Sequence, residues 1–294
     1  MFREMVSSEA IVRMNPKTLE MARLDDRERP VIQQIFGSDP AVMAEAARII
    51  EEKFHPDGID INMGCPVYNL VSNFNGAFLI KEPKRASAIV KAMTAAVRVP
   101  ISVKTRLGWK EDTDVLEFVN VIEQAGASLI SIHGRTKEQG YSGKANWDRI
   151  GEARRKTSLP VLVNGDITSR ATAEEALRRS GADGVLIGRG ALGNPWIFRT
   201  LLPTTYCLPP SLVDRIAVVQ EHARHHVAQH GERGMVSFRK HLAYYFKKEL
   251  RHEAPHLDWN AIRSKLVRVE TQTELDEILK QVESHSSSPG NDGR

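Results

Sequence analysis

The sequence predicts an α/β fold of the parallel (β/α)8-barrel (TIM) type, lacking its first strand and followed by a small helical bundle. Three observations predict it. Short runs rich in Val and Ile alternate with amphipathic stretches through residues 1–204, the polar residues that close those runs are spread over many strand ends, and the apolar period turns helical after Leu208-Pro209-Pro210-Ser211.

Strands are expected at Phe2–Val6, Val31–Phe36, Gly58–Asn62, Ile101–Arg106, Leu129–His133, Val161–Asn164 and Gly184–Ile187. Between them, Asp39–Lys53 carries Pro40 just inside its start, and Thr172–Ser180 is rich in Ala, Glu and Arg, as crossover helices are. Parallel strands joined this way make either an open doubly wound sheet or a closed barrel. An open sheet gathers its chemistry at one switch point. Here Gln34, Asn62, Lys104, Arg106, His133, Asn164, Asp166 and Arg189 close different strands, which favours the barrel. A barrel takes eight strands and the chain opens on one of the seven legible here, so a first strand and its helix are expected to be absent.

The stiff segment around Pro209 and Pro210 separates a barrel domain, 1–204, from a helical domain, 205–283. In the latter a helix runs from Ser211 to about Gln229, Gly231-Glu232-Arg233-Gly234 breaks it, a second continues through Lys248, and shorter helices end near Val282. Residues 284–294 are Ser, Pro, Gly and Asp without an apolar anchor, and disorder is expected there.

Bulk properties narrow the function. Hydrophobic residues at 41% and charged residues at 27% describe an ordinary globular chain. Cys65 and Cys207 lie far apart without metal spacing, which argues against a disulfide framework and for a reducing cytoplasm. No apolar run is long enough to span a bilayer and no signal peptide is legible, so no membrane partner is expected. The net charge of +4 is small, but residues 205–268 hold 11 Lys/Arg against six Asp/Glu and seven of the ten histidines. That stretch reads either as a solvated helical surface or as a phosphate-binding face.

Several residues could carry chemistry. In Ile59-Asp-Ile-Asn-Met-Gly-Cys-Pro66 the alternation makes a strand that Gly64 and Pro66 end, leaving Cys65 in the loop after it, as a catalytic thiol or as a small packed residue. Lys104, in Ser-Val-Lys-Thr-Arg, alternates with Val103 and Ile101 and so points into the barrel, where it needs an anion: a bound cofactor or an acidic neighbour. His133 closes its strand either as a ring-edge hydrogen-bonding group or as a satisfied core histidine. Gly184-Val-Leu-Ile-Gly-Arg-Gly190 and the following Gly193-Asn194-Pro195-Trp196 suit a phosphate grip or a tight turn, with Asn164-Gly165-Asp166 closing the preceding strand beside them.

Together, Glu4-Met-Val-Ser, Asn62-Met-Gly-Cys-Pro, Val103-Lys-Thr-Arg, His133-Gly-Arg-Thr, Asn164-Gly-Asp, Gly188-Arg-Gly and Phe238-Arg-Lys-His resemble the tRNA-dihydrouridine synthase family, with its bacterial B-type branch nearest. The resemblance covers almost the whole chain. It implies an FMN-containing barrel that reduces the C5–C6 double bond of a uridine in tRNA with NADPH as reductant. It further implies that Gln34, Lys104 and His133 contact the flavin ring, that Asn164, Gly165, Asp166, Gly188 and Arg189 hold its ribityl chain and phosphate, and that Asn62 and Arg135 place the base. Cys65 would protonate C5 after hydride reaches C6, a task suited to a thiol because it is mostly protonated at neutral pH yet yields its proton readily. A uridine must leave the tRNA stack to be reduced. The helical domain would grip the RNA through Arg239, Lys240 and His241, followed by Lys247, Lys248 and Arg251, with little base reading. Tyr244 and Tyr245 are expected in that domain's core.

Two departures from the family pattern stand out. The Ala-Pro-Met-type opening strand has no match, and Asn69 stands where the family carries lysine. Two alternatives therefore remain beside an active monomeric enzyme: an FMN-dependent reductase of free pyrimidines, against which the basic helical domain argues, and a truncated paralogue that binds tRNA without catalysis.

Overall fold

The computed structural model describes residues 1–202, 210–246, 255 and 257–286. They group into two compact units, one of Met1–Ile167 with Ala171–Ile187, the other of Thr168–Arg170 with the described residues from Gly188 onward. Each is described by itself.

The first unit is one parallel sheet of seven strands in sequence order, β1 (Val6–Ser7), β2 (Ile32–Phe36), β3 (Gly58–Met63), β4 (Ile101–Arg106), β5 (Leu129–His133), β6 (Val161–Asn164) and β7 (Gly184–Leu186). The expected barrel-type fold is borne out, strand for strand. β2, β3 and β7 differ from the expected bounds by one residue each, and β1 differs most: Phe2 meets Ile32 as an isolated bridge, and Ser7 already caps the first helix through the Ala10 N–H. The connections are α1 (Ser8–Val12), α2 (Pro16–Met21), α3 (Pro40–Phe54), α4 (Tyr68–Val71), α5 (Pro83–Ala96), α6 (Val115–Gln124), α7 (Trp147–Arg154) and α8 (Arg170–Ser180). The start of α3 shows how locally these are encoded. Asp39 accepts from the Ala41 and Val42 N–H groups at 2.9 Å, Pro40 occupies the first turn, and Met43, Ala47 and Ile50 form its buried face.

Strand register sorts the side chains. In parallel pairing, partners point to the same face, so Gln34 aligns with Asp60 and Ser102, Asn62 with Lys104 and Ser131, and Arg106 with His133 and Asn164. Every one of these is polar. Ile59, Ile61, Val103, Ile130, Ile132, Val161 and Val163 fill the opposite face and are fully buried, as crossover helices require.

The second unit contains α9 (Ile197–Thr200), α10 (Leu212–His230), α11 (Gly234–Tyr245), α12 (Trp259–Leu266) and α13 (Gln272–Ser286). Ser211 and Asp214 form a reciprocal capping box at the start of α10. The core is Ile216, Val219, Met235, Phe238, Leu242, Phe246, Trp259, Leu275 and Leu279. Tyr245 joins it as expected, whereas Tyr244 is 43% exposed because neighbouring helix positions diverge by about 100°. Disorder is expected from residue 284, but α13 carries 284–286 as helix. Lys247, Lys248, Arg251 and Cys207 lie outside the described residues, as do 287–294.

Candidate active site

Cys65 is a free, half-buried thiol in the loop after β3. Asn62 holds that loop: its Oδ1 accepts from the Cys65 N–H at 2.9 Å and the Gly64 N–H at 3.2 Å, while its Nδ2 donates to Gln34 Oε1 at 2.9 Å. Gln34 Nε2 in turn donates to Asp60 Oδ2 at 2.6 Å, and Ser102 Oγ donates to Asp60 Oδ1 at 2.6 Å. A continuous chain thus runs from a buried carboxyl to the thiol's own backbone. Gly76, with φ +60°, closes the far side of the loop, where a Cβ would come within 2.7 Å of the Cys65 carbonyl.

Burial dominates the electrostatics. It pushes Asp60 up to about 6, against the lowering by its Ser102 and Gln34 hydrogen bonds and the nearby Lys104 ammonium. The same burial pulls Lys104 below 10.5; Asp60 and Cys65, within electrostatic reach, oppose this, while Arg106 adds to it. The acidic neighbour expected as one option for Lys104 is therefore present. Beside it in register, Ser131 Oγ is buried without a hydrogen-bond partner. His133, 5% exposed, is lowered to about 3 by burial and then by Arg106, Lys104 and Arg135, so its imidazole is neutral at physiological pH.

The arginines build the walls. Arg106 Nε donates to the Gly64 carbonyl at 2.8 Å and its Nη1 to the Thr136 and Gly140 carbonyls at 3.0 and 2.9 Å, tying the Cys65 loop to the loop after β5. Arg135, expected to place the base, is only 2% exposed and turns inward. Its Nη2 bridges both Asp166 carboxylate oxygens at 2.7 and 2.9 Å and the Gly143 carbonyl at 2.6 Å, and Nε meets the Ser142 carbonyl at 3.1 Å. A guanidinium so occupied ties the loop after β5 to Asp166. Asp166, expected at a cofactor phosphate, is engaged by Arg135 and by the Ala145 N–H at 2.8 Å. Its neighbour Gly165 has φ +115°, and a Cβ there would stand 2.8 Å from the His133 ring, so glycine is required for His133 to keep its place. Asn164 Nδ2 donates to the Leu186 carbonyl at 2.7 Å.

With this geometry in view, comparison with known proteins is informative. The family model described as Dihydrouridine synthase (Dus) matches residues 1–285. The chain belongs to the dihydrouridine synthase family. It is 38% identical over 257 residues to "Probable tRNA-dihydrouridine synthase 1" of Synechocystis sp., covering 84% of this chain and 70% of that protein. It is 37% identical over 250 residues to "Probable tRNA-dihydrouridine synthase" of Rickettsia conorii, covering 82% and 75%. Among solved structures, the carboxyl transferase domain of Rhizobium etli pyruvate carboxylase aligns at 15% identity and TM-score 0.42, over 98% of this chain and 55% of that one, a likeness too slight to bear on function. The resemblance read from the Asn62–Pro66 and later motifs is borne out, and the chain is an oxidoreductase.

Two residues that hold the site together, Asp60 and Ser102, carry no expectation from the sequence, and Arg106 is read there only as a strand end. A signal for the first existed: a carboxylate set between two isoleucines in a strand that must be buried on both faces. Gly188 and Arg189 fall in the second unit, where Arg189 opens a short 3-10 turn, Arg189–Ala191, and a Cβ on Gly188 would meet open space. Gly193, φ +69°, has a packing reason: its Cα lies so close to the end of α11 that a Cβ would stand 2.2 Å from the Tyr244 carbonyl.

The expected RNA-gripping residues separate in the second unit. Lys240 is exposed. Arg239 Nε and Nη2 donate to the Val269 and Arg268 carbonyls at 2.7 and 2.8 Å, clamping α11 to the start of α13's approach. His241 turns instead toward His222, His226 and Phe238, with ring centroids 4.9, 5.6 and 5.4 Å away. Burial and the neighbouring cations lower His222 and His226 below 6.5 and His241 to about 4.

Proposed function

We propose that the chain reduces the C5–C6 double bond of uridine in tRNA, using FMN as its resident cofactor and NADPH as reductant. The relatives' names supply the substrate class. The observation in this chain that carries the reading is the thiol of Cys65, held by Asn62 on a loop at the polar face of the sheet, within electrostatic reach of the Lys104 ammonium.

The polar face suits a flavin. Lys104 has no hydrogen bond or close ion pair among the described residues, Ser131 Oγ beside it is buried and unpartnered, and His133 offers a neutral imidazole. These are the groups that would hold a ring with an electron-rich, hydrogen-bonding edge. Gln34 would contribute through its remaining amide proton, and Asn164 would meet the phosphate-bearing chain. When bound, FMN supplies hydride to C6 of the uracil.

The chain's own residues supply position and a proton. Cys65 donates its Sγ proton to C5, so that hydride and proton together saturate the bond and the sulfur is left as thiolate. The Lys104 cation favours that charge. Asn62 fixes the backbone from which the thiol is presented, and Arg106 and Arg135 hold the loops around it. Lys240 would meet tRNA phosphates, and such a substrate is found in the cytoplasm.

The test is direct. Full-length chain with FMN, NADPH and unmodified tRNA transcript should form dihydrouridine, measured by mass spectrometry of the digested RNA, and Cys65→Ala should slow it by about a hundredfold or more. Equal turnover by Cys65→Ala, or reduction of free uridine as fast as tRNA, would overturn the reading.

A further inference from the structure

We propose that His222, His226 and His241 form a binding site for one divalent transition-metal ion, zinc foremost, that joins α10 to α11. One ring nitrogen from each of the three lies within 4.8 Å of the other two. His222 and His226 are four apart and share one face of α10, while His241 reaches them from α11. A tetrahedral ion with metal–nitrogen bonds of about 2.0–2.1 Å wants its nitrogens roughly 3.4 Å apart. Half-buried rings close that gap by small side-chain rotations.

Packing on Phe238 explains why the rings are covered, with centroids 4.8 and 5.5 Å from those of His222 and His226. It does not explain why three imidazoles converge. Two of the rings are oriented from outside by hydroxyls: His222 Nδ1 meets Tyr245 Oη at 3.1 Å and His226 Nε2 meets Ser237 Oγ at 2.7 Å, so each is fixed through one nitrogen and keeps the other, as an outer partner of a ligating histidine would leave it. Three imidazoles without thiolate or carboxylate suit zinc, nickel or copper and not magnesium or calcium, which take oxygen ligands. The fourth position is left to solvent. His230 stacks on His226 at 4.1 Å but turns its Nδ1 to the His226 carbonyl, and His225 is exposed beside Glu221.

The experiment uses untagged full-length chain stripped with EDTA and titrated with zinc chloride, followed by calorimetry and a thermal melt. Expected are one ion per chain, a dissociation constant of about 1 μM or tighter, and a melting temperature that rises with zinc. His226→Gln/His241→Gln should weaken binding at least about tenfold and abolish the rise, while His225→Gln keeps both. Cobalt(II) added to the unsubstituted chain should give visible d–d bands without a thiolate charge-transfer band, a readout that stands even if the double variant fails to fold. Less than half an ion bound at about 100 μM zinc, unchanged affinity in the double variant, or a thiolate band from cobalt overturns the proposal.

Discussion

Replacing Asn62 by alanine tests the chain of hydrogen bonds that presents Cys65. The substitution removes the acceptor for the Gly64 and Cys65 N–H groups and the donor to Gln34 Oε1. Each buried polar group left unpaired costs about 1–3 kcal/mol. Gly64 is buried and takes the full penalty, the half-buried Cys65 N–H can recover part of its own from water, and Gln34 keeps its bond to Asp60. The sum is about 3 kcal/mol. Urea denaturation should show that loss, and in a Cys207→Ser background alkylation of Cys65 should change rate because its loop is released. Asn62→Asp retains the acceptor and loses the donor to Gln34, so it should keep the loop geometry while placing a second carboxyl near Asp60. If Asn62→Ala unfolds within about 0.5 kcal/mol of the parent and Cys65 alkylates at the parent rate, the network does not hold the loop.

Other outcomes follow from the same contacts. His133 is neutral when folded, its pKa depressed from 6.5 to about 3, so the unfolded chain binds the extra proton between those values. Its contribution is complete above pH 6.5 and is lost as pH falls toward 3, up to about 5 kcal/mol at 1.4 per pH unit, and His133→Gln should flatten that part of an acid-denaturation profile. Gly193→Ala would force a Cβ against the Tyr244 carbonyl at φ +69° and should lower stability by at least about 2 kcal/mol in a urea titration. Arg239→Met should cost about 2 kcal/mol through its two carbonyl bonds, whereas Lys240→Ala should leave the melting temperature unchanged and weaken tRNA binding in a filter assay.

The strands and their polar ends were legible because they are encoded over a few residues. Ile59-Asp-Ile-Asn reads as a strand by its period alone, Asp39-Pro40 starts α3 by its own cap, and Ser211 with Asp214 starts α10. The candidate site was legible by position, since Gln34, Asn62, Lys104, His133 and Asn164 do share one face of the sheet. Roles were harder to read. Arg135 and Arg239 look like free cations in sequence, yet their partners, Asp166 and the carbonyls of Arg268 and Val269, stand about thirty residues away.

By itself, then, the sequence determined that this chain is a parallel β/α protein with a helical second part, and which residues end its strands, because side-chain period and helix caps act over one or two turns of chain. The tertiary structure alone decided what those residues do. It made Asp60 a buried carboxyl beside Lys104, turned Arg135 away from solvent, and drew His241 out of the basic run to join His222 and His226. The reason is that a polar side chain's role is set by the partner that satisfies it once water is gone, and burial brings that partner from a distant part of the chain.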